Sequence, residues 1–377
     1  MTVLSPTRSS SFPAIRRSPE AFERALLRRG RRHVDLAAAA DWTQETSWLV
    51  DWRGVPPRPL EELPSLLFRT SGHTGKPAAW IRSGAQLAAE VAQLTEIARI
   101  RECDGIVSFA PPRHLYGLLF GYCAPASLGL PVWHLAASDW LALDLDALEL
   151  RRPLLVALPA VLPLLRSVEQ ATIVHSTSVL PDVGREVARL PRVELVELFG
   201  ATETGLVAHR RVDGRVEPPW LLADDVEAVG ARPGAVGILT VSSPRIGRRP
   251  GERQPQTLAL GDEVEHLDRR RFRFVGRASR LVKVDGKRLD LDAVERALRH
   301  TLRCADLACL PRRDAVRGEA YDLLVLPADG ALDPARVRLE AASVFAEHAP
   351  PRTVRLVDEL PRSATGKLLA DEEGHRA

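Results

Sequence analysis

The sequence predicts an α/β protein, a large N-terminal domain of helix-covered sheets followed by a small α+β domain. Three observations predict that class. From Gly105 to Leu222, short apolar runs (Ile106–Ala110, Pro131–Leu135, Leu154–Leu158, Thr172–His175, Leu195–Leu198) alternate with helical stretches, as in a largely parallel sheet covered by helices. From Val236 the character changes to strands joined by turns: Gly237–Ser242, Thr257–Leu260, Arg271–Val275 and Leu281–Val284 suggest antiparallel pairing. The C-terminal part then reads as helix (Leu291–Arg299), strand, helix (Pro334–Ala346) and strand (Thr353–Val357), the make-up of a small α+β domain. The boundary is expected near Gly276–Ser279, dividing residues 1–276 from 277–377.

Ahead of these elements, residues 1–20 are rich in Ser, Arg and Pro and are expected to be a flexible arm. A helical pattern covers Pro19 to Arg32. Leu63–Arg69 reads as a short buried strand running into the polar loop Thr70–Pro77, and Ala78–Ile81 resumes as a strand. Ser83 is placed to cap a helix whose apolar residues Leu87, Val91, Leu94 and Ile97 recur at helical spacing.

Composition narrows the function classes. The chain has 377 residues, 45% hydrophobic and 27% charged, ordinary values for a soluble globular enzyme. A net charge of +3 gives no case for a nucleic-acid partner, and the Arg runs at 28–32 and 269–271 read as solvated surface. The four cysteines (Cys103, Cys123, Cys304, Cys309) form no Cys-x-x-Cys pair, which points to reduced thiols rather than a zinc site. The first residues carry no apolar core of signal-peptide length, and no stretch approaches the roughly 20 apolar residues that span a bilayer. A cytoplasmic protein with no membrane association is the expectation. Of the 52 lysines and arginines only four are lysine: Lys76, Lys283, Lys287 and Lys367. A lysine kept against so strong an arginine bias marks a place that wants a compact, flexible ammonium.

Four segments carry chemistry. Thr70-Ser71-Gly72-His73-Thr74-Gly75-Lys76-Pro77 offers backbone N–H groups, hydroxyls and one ammonium suited to wrapping phosphate oxygens. It is not a Walker A loop, since Thr70 stands at the first Gly position and Pro77 at the Ser/Thr position. Phe199-Gly200-Ala201-Thr202-Glu203, just after the apolar run Leu195–Leu198, puts an aromatic ring, a hydroxyl and a carboxylate at a strand's end, where they suit a base, a phosphate and Mg²⁺. Asp262 and Arg277 suit ribose hydroxyls and phosphate, followed by Lys283-Val284-Asp285-Gly286-Lys287. Pro361-Arg362-Ser363-Ala364-Thr365-Gly366-Lys367 presents an ammonium on a Gly-containing loop. Taken singly, each of these fits an ordinary turn as well.

Taken together and in this order, the segments resemble the adenylate-forming, AMP-binding ligase superfamily of acyl- and aryl-CoA synthetases and adenylation domains. TSGHTGKP resembles the family's glycine-rich signature, FGATE its aromatic-G-x-T-E, LGD its T-G-D, GRASRLVKVDGKRL its hinge segment and PRSATGK its C-terminal lysine motif. The resemblance spans residues 70–367, and all four lysines fall within these segments. It implies that Thr70, Ser71, Gly72, Thr74, Gly75 and Lys76 cradle the β,γ-phosphates of ATP, with Phe199 and Gly200 against adenine. It gives Thr202 and Glu203 the phosphate and Mg²⁺, and Asp262 and Arg277 the ribose. Lys367 would bridge carboxylate and α-phosphate in the adenylation step. His114, Tyr116, Ser176 and Leu206 would line the acyl pocket, and Lys283 and Gly286 the thiol-transfer tunnel, with Ser279 as the hinge.

The same resemblance exposes departures. His73 replaces a hydroxyl residue, Ala78 the usual Lys, Leu260 a Thr and Ser279 the hinge Asp. The glycine-rich loop begins at residue 70, earlier than in relatives, so the N-terminal domain is expected to be shortened. Either a second copy of the chain covers the resulting sheet edge, as a homodimer, or the edge stays exposed. The short form resembles AMP-ligases of aryl-polyene (xanthomonadin-type) pigment biosynthesis. That likeness implies an aryl acid such as a hydroxybenzoate, transferred to the phosphopantetheine thiol of an acyl carrier protein. An aryl- or fatty-acyl-CoA ligase is the alternative, and a non-catalytic nucleotide-binding regulator the alternative from another class.

Overall fold

The computed structural model describes residues 14–27, 33–36, 42–69, 78–176, 180–277, 280–284, 287–314, 318–328 and 332–360. Contacts divide the chain into two compact units. The first is built from the described residues within Met1–Thr70, Ala78–Val226 and Ser242–Gln256, the second from those within Glu227–Val241 and Thr257–Ala377.

The strands of the first unit are, in chain order, β1 (Ile15–Arg17), β2 (Val34–Asp35), β3 (Trp48–Asp51), β4 (Leu66–Arg69), β5 (Ala79–Arg82) and β6 (Gly105–Ser108). They continue as β7 (Pro131–His134), β8 (Pro153–Ala157), β9 (Ala171–His175), β10 (Val193–Ala201), β11 (Gly205–Val212) and β12 (Trp220–Leu222). The principal sheet runs β1-β3-β7-β6-β8-β9-β10-β11-β12, and a smaller one runs β2-β4-β5. Strands β7, β6, β8, β9 and β10 pair in parallel, and β10 turns back antiparallel into β11. Every residue of β6, β8 and β9 is buried. Burial on both faces explains why these strands read as unbroken apolar runs without alternation.

The helix Gly84–Ile97 covers this unit with Leu87, Val91 and Leu94 turned inward. Its start is a capping box: Ser83 Oγ accepts from Gln86 N at 3.2 Å, and Gln86 Oε1 accepts from Ser83 N at 3.0 Å. The Gln86 amide also donates to the carbonyl of Ile246 at 2.7 Å, tying the helix start to the segment around Ile246.

The end of the expected arm is structured. Ile15–Arg17 pairs in parallel with Trp48–Val50, and Ser18 caps the helix Pro19–Leu26 by accepting from Ala21 N at 3.3 Å. Phe22 packs on Trp48 with ring centroids 4.5 Å apart, and Glu23 accepts from Tyr122 Oη at 2.6 Å. The segment looked arm-like because Ile15 and Arg16 are exposed, so its order comes from partners far along the chain rather than from an apolar run of its own.

The second unit begins with β13 (Glu227–Ala228), β14 (Val236–Ser242, apart from its last residue), β15 (Thr257–His266) and β16 (Arg271–Arg277), in the order β16-β15-β14-β13. The arginines at the tip of the β15–β16 hairpin are gathered by Asp268, which accepts from the N–H groups of Arg270 and Arg271 at 2.8 and 2.7 Å. A hairpin of β17 (Leu281–Val284) and β18 (Lys287–Asp290) follows, then a sheet of β19 (Cys304–Asp314), β20 (Gly318–Pro327) and β21 (Thr353–Leu356). Helix Leu291–Thr301 packs Leu291, Val294 and Leu298 into a core with Leu307, Cys309, Tyr321, Leu323 and Val325. The helix expected over Pro334–Ala346 is two, Pro334–Glu340 and Ala342–His348. At the junction Ala341, fully buried, leaves helical geometry (φ −90°, ψ 9°), and Val337, Val344 and Phe345 share the core on either side of it.

All four cysteines are free thiols, and burial pushes Cys103 up to about 11. Among the described residues no helix is long and apolar enough to cross a membrane. The capping box sets a stability expectation: Ser83→Ala should lower unfolding free energy by about 1 kcal/mol in urea titrations, since the Gln86 N–H loses its acceptor.

Candidate active site

In the first unit, the C-terminal ends of the parallel strands carry most of the expected residues. The segment after β6 leads to His114, which stands exposed at the N-terminus of the short helix Leu115–Leu118. Gly117, three residues after His114, is required sterically, because a Cβ there would lie 2.1 Å from the carbonyl oxygen of Pro111. Tyr116 donates its hydroxyl to the carbonyl of Val174 at 2.8 Å, tying the helix to the end of β9. Burial alone pushes its phenol well above the usual range. Ser176 follows β9 directly and is half-buried.

The FGATE segment lies differently from the expected strand-end turn. Strand β10 continues through Phe199, Gly200 and Ala201 and pairs with β11, with a bulge at Phe199/Gly200. The turn is therefore confined to Thr202–Thr204. The antiparallel partner β11, which apolar runs do not announce, extends the ladder past Leu198. Phe199 packs edge-on against Trp220, centroids 5.8 Å apart, and Trp220 also lies under the Arg210 guanidinium at 4.5 Å.

The turn is pinned from below by buried charge. Arg82 and Arg245 are fully buried and Glu90 is 2% exposed. Arg82 donates to Glu90 at 2.5 Å and to the carbonyl of Thr202 at 3.4 Å. The other oxygen of Glu90 accepts from Leu206 N at 2.8 Å, and Arg245 donates to Leu206 O at 2.7 Å while forking onto Asp225 at 2.7 Å through Nε and Nη2. Glu203 O accepts from Gly247 N at 2.7 Å, and Ala201 N donates to Thr204 Oγ1 at 3.2 Å. Gly205 has φ +69°, and a Cβ on it would stand 2.3 Å from Glu90 Oε2, so backbone conformation and close approach both demand glycine. Burial pulls Arg82 below its usual range, and Arg245 adds to that; Arg245 itself is raised, Asp225 and Glu90 outweighing its burial.

With its backbone so held, the turn leaves the side chains of Thr202 and Glu203 half-buried at the end of the sheet. Among the described residues the Glu203 carboxylate has no hydrogen-bond or ion-pair partner. Leu206 is buried, its backbone clamped on both sides.

In the second unit, β15 continues past the expected end at Leu260 to His266, which puts Asp262 within the strand, directly opposite Arg277 at the end of the β15–β16 ladder. Asp262 is 5% exposed. For Arg277 and Lys283 the backbone alone is described, on β16 and β17. Thr70, Ser71, Gly72, Thr74, Gly75, Lys76, Ser279, Gly286 and Lys367 lie outside the described residues.

Sequence reasoning missed Arg82, Glu90 and Arg245, and also His175. His175 ends β9 beside Glu197 of β10, which Arg210 holds at 2.5 Å. It is 1% exposed, with no hydrogen-bond partner for either ring nitrogen among the described residues. Burial, assisted by Arg210, lowers its pKa to about 4.

Residues 293–367 match the AMP-binding enzyme C-terminal domain. Indoleacetate–CoA ligase of Aromatoleum aromaticum is 28% identical over 344 residues, covering 82% of this chain and 67% of the relative. 4-Coumarate–CoA ligase of Halorhodospira halophila is 27% identical, covering 80% and 74%. The chain is similar to acid–thiol ligases of the adenylate-forming superfamily, and its residues 293–367 carry that superfamily's C-terminal domain match. Ligases of solved structure share this chain's fold. ATP-bound MatB of Rhodopseudomonas palustris has a TM-score of 0.67 at 21% identity, covering 80% of this chain and 66% of its own. O-succinylbenzoate coenzyme A synthetase of Bacillus subtilis, in complex with ATP and magnesium ion, has a TM-score of 0.67 at 19% identity, covering 81% and 69%. The chain thus spans about two thirds of the length of these superfamily members.

The buried His175 sets a pH dependence. Its folded pKa of about 4 lies below the ordinary 6.5, so between these values the unfolded chain binds more protons than the folded one. This contribution to stability is present above pH 6.5 and lost as pH falls towards 4. Urea unfolding should show wild type losing up to about 3 kcal/mol more than His175→Gln over that range.

Proposed function

We propose that this chain activates a carboxylic acid with ATP as its acyl-adenylate, releasing pyrophosphate, and then passes the acyl group to a phosphopantetheine thiol. The observation that carries the reading is the clamped turn, which holds Thr202 and an uncommitted Glu203 carboxylate at the C-terminal edge of the parallel sheet, where α/β folds bind their ligands. Mg²⁺ suits that donor set, because it keeps most of its waters and needs few carboxylates besides substrate phosphates. When bound it would offset charge on the departing pyrophosphate. The Thr202 hydroxyl would donate to a phosphate oxygen, Asp262 would accept from ribose hydroxyls, and Phe199 would lie beside the adenine. In this reading Thr70–Lys76 cradle the phosphates, Arg277 reaches the ribose, and Lys367 stabilises the charge that builds between carboxylate and α-phosphate.

Transfer to the thiol would follow rotation of a C-terminal domain about Ser279, with Lys283 and Gly286 lining the tunnel. The acid is proposed to be aryl, a hydroxybenzoate-like molecule, in a pocket including His114, Tyr116, Ser176 and Leu206. Two relatives named for indoleacetate and 4-coumarate support an aromatic acid. The acceptor is proposed to be a holo-acyl carrier protein in the cytoplasm, within pigment biosynthesis. The names of the same relatives favour free CoA as the second reading.

ATP–pyrophosphate exchange across a panel of aromatic and fatty acids tests the substrate: exchange is expected with hydroxybenzoates, and exchange with fatty acids alone would overturn the aryl reading. Lys367→Ala should cut exchange by about 10²-fold or more while ATP still binds. Acyl transfer to holo-carrier should outpace transfer to free CoA; equal rates would favour the CoA ligase.

A further inference from the structure

The geometry points to Arg82, Glu90 and Arg245 as a positioning array that fixes the Thr202–Glu203 turn for its contacts with metal and phosphate, an inference that rests on the reading above. Three elements supply it: the end of β5, the helix Gly84–Ile97 that follows it, and, far along the chain, the segment after β14. Each sends a buried charged side chain to the turn backbone, at Thr202 O, Leu206 N and Leu206 O.

Core stability alone does not call for such an arrangement. Burying guanidinium and carboxylate groups costs free energy that their attraction only partly returns, and well-packed apolar residues commonly serve stability as well or better. What the charged groups provide is directional hydrogen bonding to backbone atoms that flank the turn on both sides. The neighbouring backbone completes the clamp. Gly247 N donates to Glu203 O at 2.7 Å, and the next residue, Arg248, exchanges hydrogen bonds with Ile81 at 2.8 and 3.0 Å. Gly205 is the matching adaptation on the turn itself, its bare Cα admitting Glu90 and Arg82 to positions a Cβ would contest at 2.3 and 2.7 Å. Every turn carbonyl and N–H so engaged is withdrawn from the chemistry, and the Glu203 carboxylate is aimed without being consumed.

The array contacts no substrate atom, so its effect should be read on the turn and on the metal dependence, separately from folding. The test compares wild type with Glu90→Gln, Arg82→Lys and the double variant Arg82→Met/Glu90→Gln. The double variant removes one positive and one negative charge together, which leaves the core without an uncompensated charge. Amide hydrogen exchange at Thr202–Leu206 should accelerate about tenfold or more in it, while the amides of β8 stay as protected as in wild type. In ATP–pyrophosphate exchange, half-saturating Mg²⁺ should rise by about tenfold with KM for the acid unchanged. Arg82→Lys, which keeps the charge but not the fork, should give smaller changes in the same direction. If the double variant does not fold, the same two readouts on Arg82→Lys and Glu90→Gln decide.

Turn protection and Mg²⁺ dependence equal to wild type in the folded variants would overturn the inference, as would a loss of protection spread evenly over the unit. A wild-type chain inactive with every acid would remove the proposed function alone. The amide measurements would still decide whether the array positions the turn.

Discussion

Two guanidinium groups buried beneath one hairpin turn are the constraint on which the candidate site depends. Arg82 and Arg245 are both fully buried, within reach of the single carboxylate of Glu90. Such a cluster is tolerated only when each charge is matched, and here Asp225 supplies the second negative charge through a two-pronged contact with Arg245. Breaking any one member would leave an uncompensated buried charge, at a cost of about 3–5 kcal/mol. The cluster therefore locks together β5, the covering helix, the β10–β11 turn and the segment carrying Arg245. These are the parts that hold Thr202 and Glu203.

A second charged group stands beside it on the same sheet. Glu197 and Arg210 face each other across β10 and β11, with Arg210 also reaching Glu217 at 2.8 Å and stacking on Trp220. Burial pushes the Glu197 carboxyl up while Arg210 draws it down. His175 sits next in the row, kept neutral by burial and by the nearby guanidinium. The end of the parallel sheet is thus not an apolar basin but a plane of matched charges with one neutral imidazole.

The second unit solves a different problem with the same chemistry. Arg280 precedes β17 and reaches Asp292 at 2.9 Å, Glu295 and the carbonyl of Cys309, joining the hairpin to helix Leu291–Thr301 and to β19. Arg312 and Arg352 converge on the buried Asp322 at 3.0 Å. In an arginine-rich chain the planar guanidinium serves as a structural connector, because its fork can satisfy several acceptors at once. Lysine's single ammonium cannot make that pattern.

The sequence by itself determined the strand alternation, the capping of the helix after Ser83 and the family resemblance, because these are written in local spacing: buried runs, a Ser-x-x-Gln box and ordered motifs. It also marked FGATE and the Asp262–Arg277 pair by residue type. Only the tertiary structure decided that Phe199 and Gly200 are inside a strand, that Asp262 and Arg277 stand opposite each other, and that Ile15–Arg17 is a strand. The buried array was illegible for the same physical reason. Arg82, Glu90 and Arg245 look like surface residues in sequence, and their charges become affordable only when long-range folding brings them together out of water.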